Sequence, residues 1–140
     1  MEKLKALSVN VDKVKPLELG GGVYKSRMIL DHIITGRDGV IQMNHGTVAP
    51  HAKLSGDLHE EDEIYYILSG NGKLQLGDDV IDVSANQVVF IPAGVFHRLD
   101  NSDSNEELTL LTFWKDYRFN DTYEYRVKQW GKSFKTIDEE

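Results

Sequence analysis

The sequence predicts an all-β domain, a jelly roll or small closed barrel. Three observations carry that prediction: short apolar or alternating runs fill residues 20–115, glycine-containing turns separate them, and no repeat or low-complexity linker interrupts them. At 140 residues the chain is long enough to bury its own core without disulfide staples. Residues 1–140 read as a single domain, with the barrel at about 20–115 and a C-terminal extension at about 116–140.

The candidate strands, in order, are 23–30, 40–49, 64–69, 73–76, 80–83, 87–91, 96–99 and 108–114. Between them, Ser69-Gly70-Asn71-Gly72 and Gly77-Asp78-Asp79 supply the positive-φ residues that tight hairpins need, so two successive hairpins are expected. Beyond residue 120 the alternation stops. Residues 121–130 read as a short helix capped by Asn120 or Asp121, with Tyr123, Val127 and Trp130 on one face. The alternative for this extension is a final strand or an arm laid over a neighbouring subunit.

Composition removes several chemistries. The chain has no Cys, which excludes thiol nucleophiles and thiolate metal sites and leaves His, Asp and Glu as the strong ligands. With 16 basic against 23 acidic residues the net charge is −7, the wrong sign for a surface that tracks phosphates, so no nucleic-acid partner is expected. No apolar run has the length of a secretory signal or a membrane span, and a cytoplasmic location is the expectation. No Ser-His-Asp arrangement or phosphate-cradling loop is visible.

Two segments carry the chemistry. In Gly56-Asp57-Leu58-His59-Glu60-Glu61-Asp62-Glu63, five of the seven residues from Asp57 onward are carboxylates. Such a run is either a solvated acidic loop or a concentration of charge that a cation relieves. Asp57, His59 and Glu63 share parity, so an extended chain would point all three to one face. In the second segment an apolar strand, Gln87 to Ile91, ends in a turn made by Pro92 and Gly94, followed at once by Phe96 and His97.

These two segments resemble the paired motifs of the cupin superfamily. In the first motif His59, Glu63 and Gly70 fall at the expected spacing, and in the second Pro92, Gly94, His97 and Asn101 do. Three positions depart: His51 and Asn86 stand where the motifs open with Gly, and Asp57 stands where the first motif has a His. The resemblance implies a jelly-roll barrel with inward-facing ligands for a divalent metal ion, here Fe, Mn, Zn or Ni. The expected ligands are Asp57, His59, Glu63 and His97. Either all four bind, giving two His and two carboxylates, or His59, Glu63 and His97 form a triad with open positions and Asp57 acts as a general base.

Around this site Tyr65, Phe96, Leu99 and Trp114 would line a pocket if their strands face inward, and His45, which shares parity with Ile41 and Met43, would join them. For His45 the plain alternative is a core residue satisfied by the backbone. Arg27, Gln42 and Asn44 are candidates for orienting a substrate. Both faces of 64–68 are apolar, which fits a strand covered on both sides at a homodimer interface, as the resemblance also implies. The function expected is a metal-dependent enzyme acting on a small polar metabolite, sugar-like or a carboxylate compound, by dioxygenase or by isomerase, epimerase or lyase chemistry. The competing expectation is a non-catalytic barrel that binds a small molecule.

Overall fold

Period-two burial decides the architecture. Along Gln42–Val48 and Leu108–Trp114 the even-numbered side chains are buried and most of their odd-numbered neighbours are only partly so, the signature of a strand with one face on a core. The computed structural model describes residues 6–37, 39–115, 128 and 135–136. Its strands are β1 (Leu7–Ser8), β2 (Leu17–Leu19), β3 (Tyr24–Leu30), β4 (Gln42–Val48), β5 (Glu63–Ser69), β6 (Asn71–Leu76), β7 (Asp79–Ser84), β8 (Val88–Ile91), β9 (His97–Asp100), β10 (Leu108–Trp114) and β11 (Lys135–Thr136). One short helix, α1 (His32–Thr35), follows β3; Asp31 caps it by accepting a hydrogen bond from the Ile34 amide at 2.8 Å.

The strands form a six-stranded antiparallel sheet in the order β2-β3-β4-β10-β5-β8 and a three-stranded sheet β7-β6-β9, with β1 and β11 paired separately. Residues 53–57 extend the smaller sheet, because Lys53 bridges Asp100 and Asp57 bridges His97. This is the jelly roll. Ile67, Leu74, Ile91, Leu108 and Leu110 are fully buried between the sheets, each worth about 1.5–3 kcal/mol of burial.

One expected hairpin is a corner instead. β5 pairs with β10 and β8, whereas β6 pairs with β7 and β9, so Gly70 carries the chain from one sheet to the other. Its φ of 89° is open to glycine, and a Cβ there would run into the Glu107 carbonyl and lie 3.0 Å from Leu108 Cα. The second expectation holds: Leu76 pairs with Asp79 across a turn in which Gly77 has φ 59°. The helix expected over 121–130 falls outside the described residues apart from Lys128.

Candidate metal centre and pocket

Three elements deliver three ligand-type side chains to one point. His59 lies in the loop before β5, Glu63 opens β5 and His97 opens β9. Their ligand atoms all lie within 4.8 Å of one another. The loop holding His59 is tied to the turn before β9: the Gly94 amide donates to the His59 carbonyl at 2.8 Å, and the Ala93 amide donates to the Asp62 carboxylate at 2.9 Å. The two motifs are therefore hydrogen-bonded to each other and position their imidazoles jointly.

The imidazoles are oriented by their second nitrogens. His59 Nδ1 lies 3.0 Å from the Glu61 carbonyl, and His97 Nδ1 lies 3.0 Å from the Val95 carbonyl. A carbonyl only accepts, so each Nδ1 carries the hydrogen and each Nε2 faces the cluster. His59 Nε2 and His97 Nε2 lie 3.4 and 3.1 Å from the same Glu63 oxygen, and the rings meet edge to face with centroids 4.9 Å apart. Two neutral Nε2 lone pairs aimed at one carboxylate oxygen repel it unless a proton or a metal ion lies between them. This donor set fits a divalent ion: two imidazole nitrogens, one carboxylate, and outer partners that fix the ring orientation. Burial pulls the His97 imidazole down, but hydrogen bonds to Glu63 and to the Val95 carbonyl, with the negative field of Glu63 and Asp57, more than offset it and leave it raised.

Asp57 stands apart from this cluster. Its backbone pairs with that of His97, so it lines the same pocket, but its exposed carboxylate is not among the grouped ligand atoms. The pocket has a volume of about 620 Å³. Tyr65, Leu99 and Trp114 are among its lining residues, and the Tyr65 ring stands edge-on to His97 at 6.0 Å.

His45 and Phe96 do not line it, which corrects the expectation for both. On β4 it is Asn44, of opposite parity, that lines the pocket, so His45 projects to the outer face, where it pairs across strands with Arg27 and Leu111. Burial and then the Arg27 charge hold its imidazole below the usual range. Phe96 immediately precedes His97 and so turns away, packing over Gly56 and beneath the Arg98 guanidinium, 5.9 Å from the ring centroid. Arg27 also faces out, with its Nε donating to the Val14 carbonyl at 2.9 Å.

The polar wall of the pocket was only partly foreseen. Asn44 lies at its centre. Ser26 donates to Asn44 Oδ1 at 2.5 Å, and Asn44 Nδ2 donates to the Tyr24 hydroxyl at 3.0 Å and to Thr112 Oγ1 at 3.3 Å. Tyr24, Ser26 and Thr112 escaped the sequence reading, although the parity of 24 and 26 along β3 and the small residue at Gly46 carry the signal. A Cβ on Gly46 would lie 2.8 and 2.9 Å from Tyr24 ring carbons, so the absent side chain is what makes room for the phenol. Burial pushes the Tyr24 phenol up to about 12, and it pushes that of Tyr65 well above the ordinary value.

A jelly-roll barrel with a His-Glu-His cluster in the wall of a lined pocket is thus the class that fold and site define. The family model for the cupin domain matches residues 44–114, half of the chain, and the chain belongs to that family. It is similar to the xanthan biosynthesis protein XanB of Xanthomonas campestris pv. campestris, at 36% identity over 80 residues, 56% of this chain and 17% of that protein. It is also similar to acireductone dioxygenase of Danio rerio, at 34% identity over 70 residues, 43% of this chain and 39% of that protein. The chain therefore spans well under half the length of either relative. Among solved structures, a predicted oxalate decarboxylase from Thermotoga maritima superposes with a TM-score of 0.67 at 22% identity, over 79% of this chain and 99% of that one, which shows the shared fold. Among the described residues no helix is long and apolar enough to cross a membrane.

Proposed function

We propose that the protein is a metal-dependent cupin enzyme that holds a divalent ion on His59, Glu63 and His97 and acts on a small polar metabolite, sugar-like or a carboxylate compound, in the adjoining pocket. The observation that carries this reading is the convergence of two Nε2 atoms on one Glu63 oxygen, at 3.4 and 3.1 Å. A bound ion would supply Lewis acidity or, with a redox metal, oxygen chemistry. Asp57, exposed at the pocket wall and outside the ligand cluster, is suited to move a proton rather than to bind the ion. Similarity to a protein named acireductone dioxygenase supports oxidative chemistry as one branch; isomerase or lyase chemistry is the other.

The test is metal content, measured by mass spectrometry on untagged protein beside a His59→Ala/His97→Ala variant. Near-stoichiometric Fe, Mn, Ni or Zn that disappears in the variant supports the site. Absence of metal that added divalent ions do not restore overturns it in favour of a non-catalytic binding barrel.

We further propose that the protein is a homodimer built on the outer face of β5 and β8. Ile64, Leu68, Val88 and Phe90 are exposed there, on one face of two paired strands. A Val88→Glu/Phe90→Glu variant should sediment at half the wild-type mass; a wild type already monomeric overturns the dimer.

A further inference from the structure

The inference rests on the metal reading above and concerns the wall of the pocket formed by β3, β4 and β10. Asn44 has both amide hydrogens committed, one to the Tyr24 hydroxyl and one to Thr112, and its oxygen accepts from Ser26. In this orientation the amide oxygen takes the Ser26 proton and the amide hydrogens go to the two other hydroxyls. A Tyr24 hydroxyl that accepts from Asn44 keeps its own hydrogen to give. With Gly46 beneath the ring the phenol has a fixed seat, and burial, raising its pKa, keeps it protonated throughout the neutral range. The phenol also faces the negative field of Glu63 and Asp57, and the same pocket is lined by Tyr24, Asn44, His59, Glu63 and His97.

We propose that Tyr24 is the substrate-contacting donor of this pocket, held by Asn44 as its positioning residue, and that the site therefore selects compounds presenting an acceptor oxygen, carbonyl or carboxylate, alongside the group that meets the metal. Lys25 and Arg27 lie on the outer face of β3, whereas Lys53 and Arg98 also line the pocket, each with a partner of its own: Lys53 lies 3.8 Å from Asp100, and Arg98 donates to Gln75 at 2.7 Å. Tyr24 adds a neutral donor to that wall, on the same pocket as the His59, Glu63 and His97 cluster.

The test loads the full-length protein with Mn(II) and titrates oxalate, malonate and succinate by calorimetry, with fluoride as a one-atom ligand that meets the metal without spanning the pocket. In Tyr24→Phe, metal content and fluoride affinity should stay within twofold, while the tightest of the three dicarboxylates should weaken by about tenfold, the loss expected for one hydrogen bond to a charged group. Asn44→Ala should weaken the same dicarboxylate, again sparing fluoride. Equal losses of fluoride and dicarboxylate, dicarboxylate binding unchanged in Tyr24→Phe, or metal-loaded wild type that binds none of the three each overturns the assignment. Wild type that holds no Mn(II) overturns the metal reading itself, and this inference with it.

Discussion

Asp57 and His97 exchange both backbone hydrogen bonds, amide to carbonyl at 2.9 Å one way and 3.0 Å the other. Residues paired in this way across antiparallel strands project to the same side. The acidic side chain is therefore held beside the imidazole by main-chain geometry, whatever the pocket contains. Asp57→Ala should keep its metal within about twofold of wild type while His97→Ala loses at least tenfold, as removal of an inner ligand implies. Metal analysis of the two purified variants checks this, and equal loss in both would make Asp57 a ligand.

Gly46→Ala should destabilise the barrel by about 1–3 kcal/mol, because the added methyl meets the Tyr24 ring inside a packed wall. Thermal melts read the effect. In a Tyr24→Ala background the same substitution should cost almost nothing, since its partner in the clash is gone.

Asn101 is nearly fully buried and donates to the Ala49 and Glu106 carbonyls at 3.0 and 2.8 Å, tying the loop after β9 to the end of β4. Asn101→Ala should lower stability by about 1–3 kcal/mol, because it removes two hydrogen bonds and leaves each carbonyl with one longer contact, to the Ala52 amide and the Ser104 hydroxyl at 3.3 Å. Urea unfolding measures it.

The Asp100 carboxylate is held below its usual range chiefly by Ser102, whose hydroxyl and amide donate to it at 2.5 and 2.9 Å. A depressed carboxylate stabilises the fold above its unfolded pKa, near 3.9, and that contribution fades as pH falls through the lower folded value. Ser102→Ala should therefore be less stable than wild type at pH 5–8, with the two converging as the pH falls below 3. A gap that persists at pH 2 would assign the loss to something other than the ionised carboxylate.

Much of the barrel was legible because alternation and burial coincide along β4 and β10, and because Pro92-Ala93-Gly94 marks the turn before His97. The motif glycines show a subtler kind of legibility. His51 and Asn86, which replace them, are the two non-glycine residues with positive φ among those described, at 59° and 71°. The motif therefore specifies a backbone conformation, which Asn and His tolerate better than most side chains. His51 is held there by its ring, 3.1 Å from the Ser102 carbonyl and 2.7 Å from Asn105 Oδ1. Which face of β4 looks inward was not legible. The strand has polar residues on both sides, Asn44 and His45 in succession, and only pairing with β3 and β10 fixes its rotation. The β5–β6 corner was likewise hidden, since Ser-Gly-Asn-Gly suits a hairpin and a corner equally well.

Glu63 belongs to the six-stranded sheet and His97 to the three-stranded one, with His59 fastened to the turn that leads into the latter. An ion gripped by all three is a rivet through both walls of the barrel. Its binding free energy is then also resistance to unfolding, growing with the logarithm of the free ion concentration. Removing the ion with a chelator would let the sheets part at a lower temperature, so the heat tolerance of this protein would report how much metal its surroundings supply.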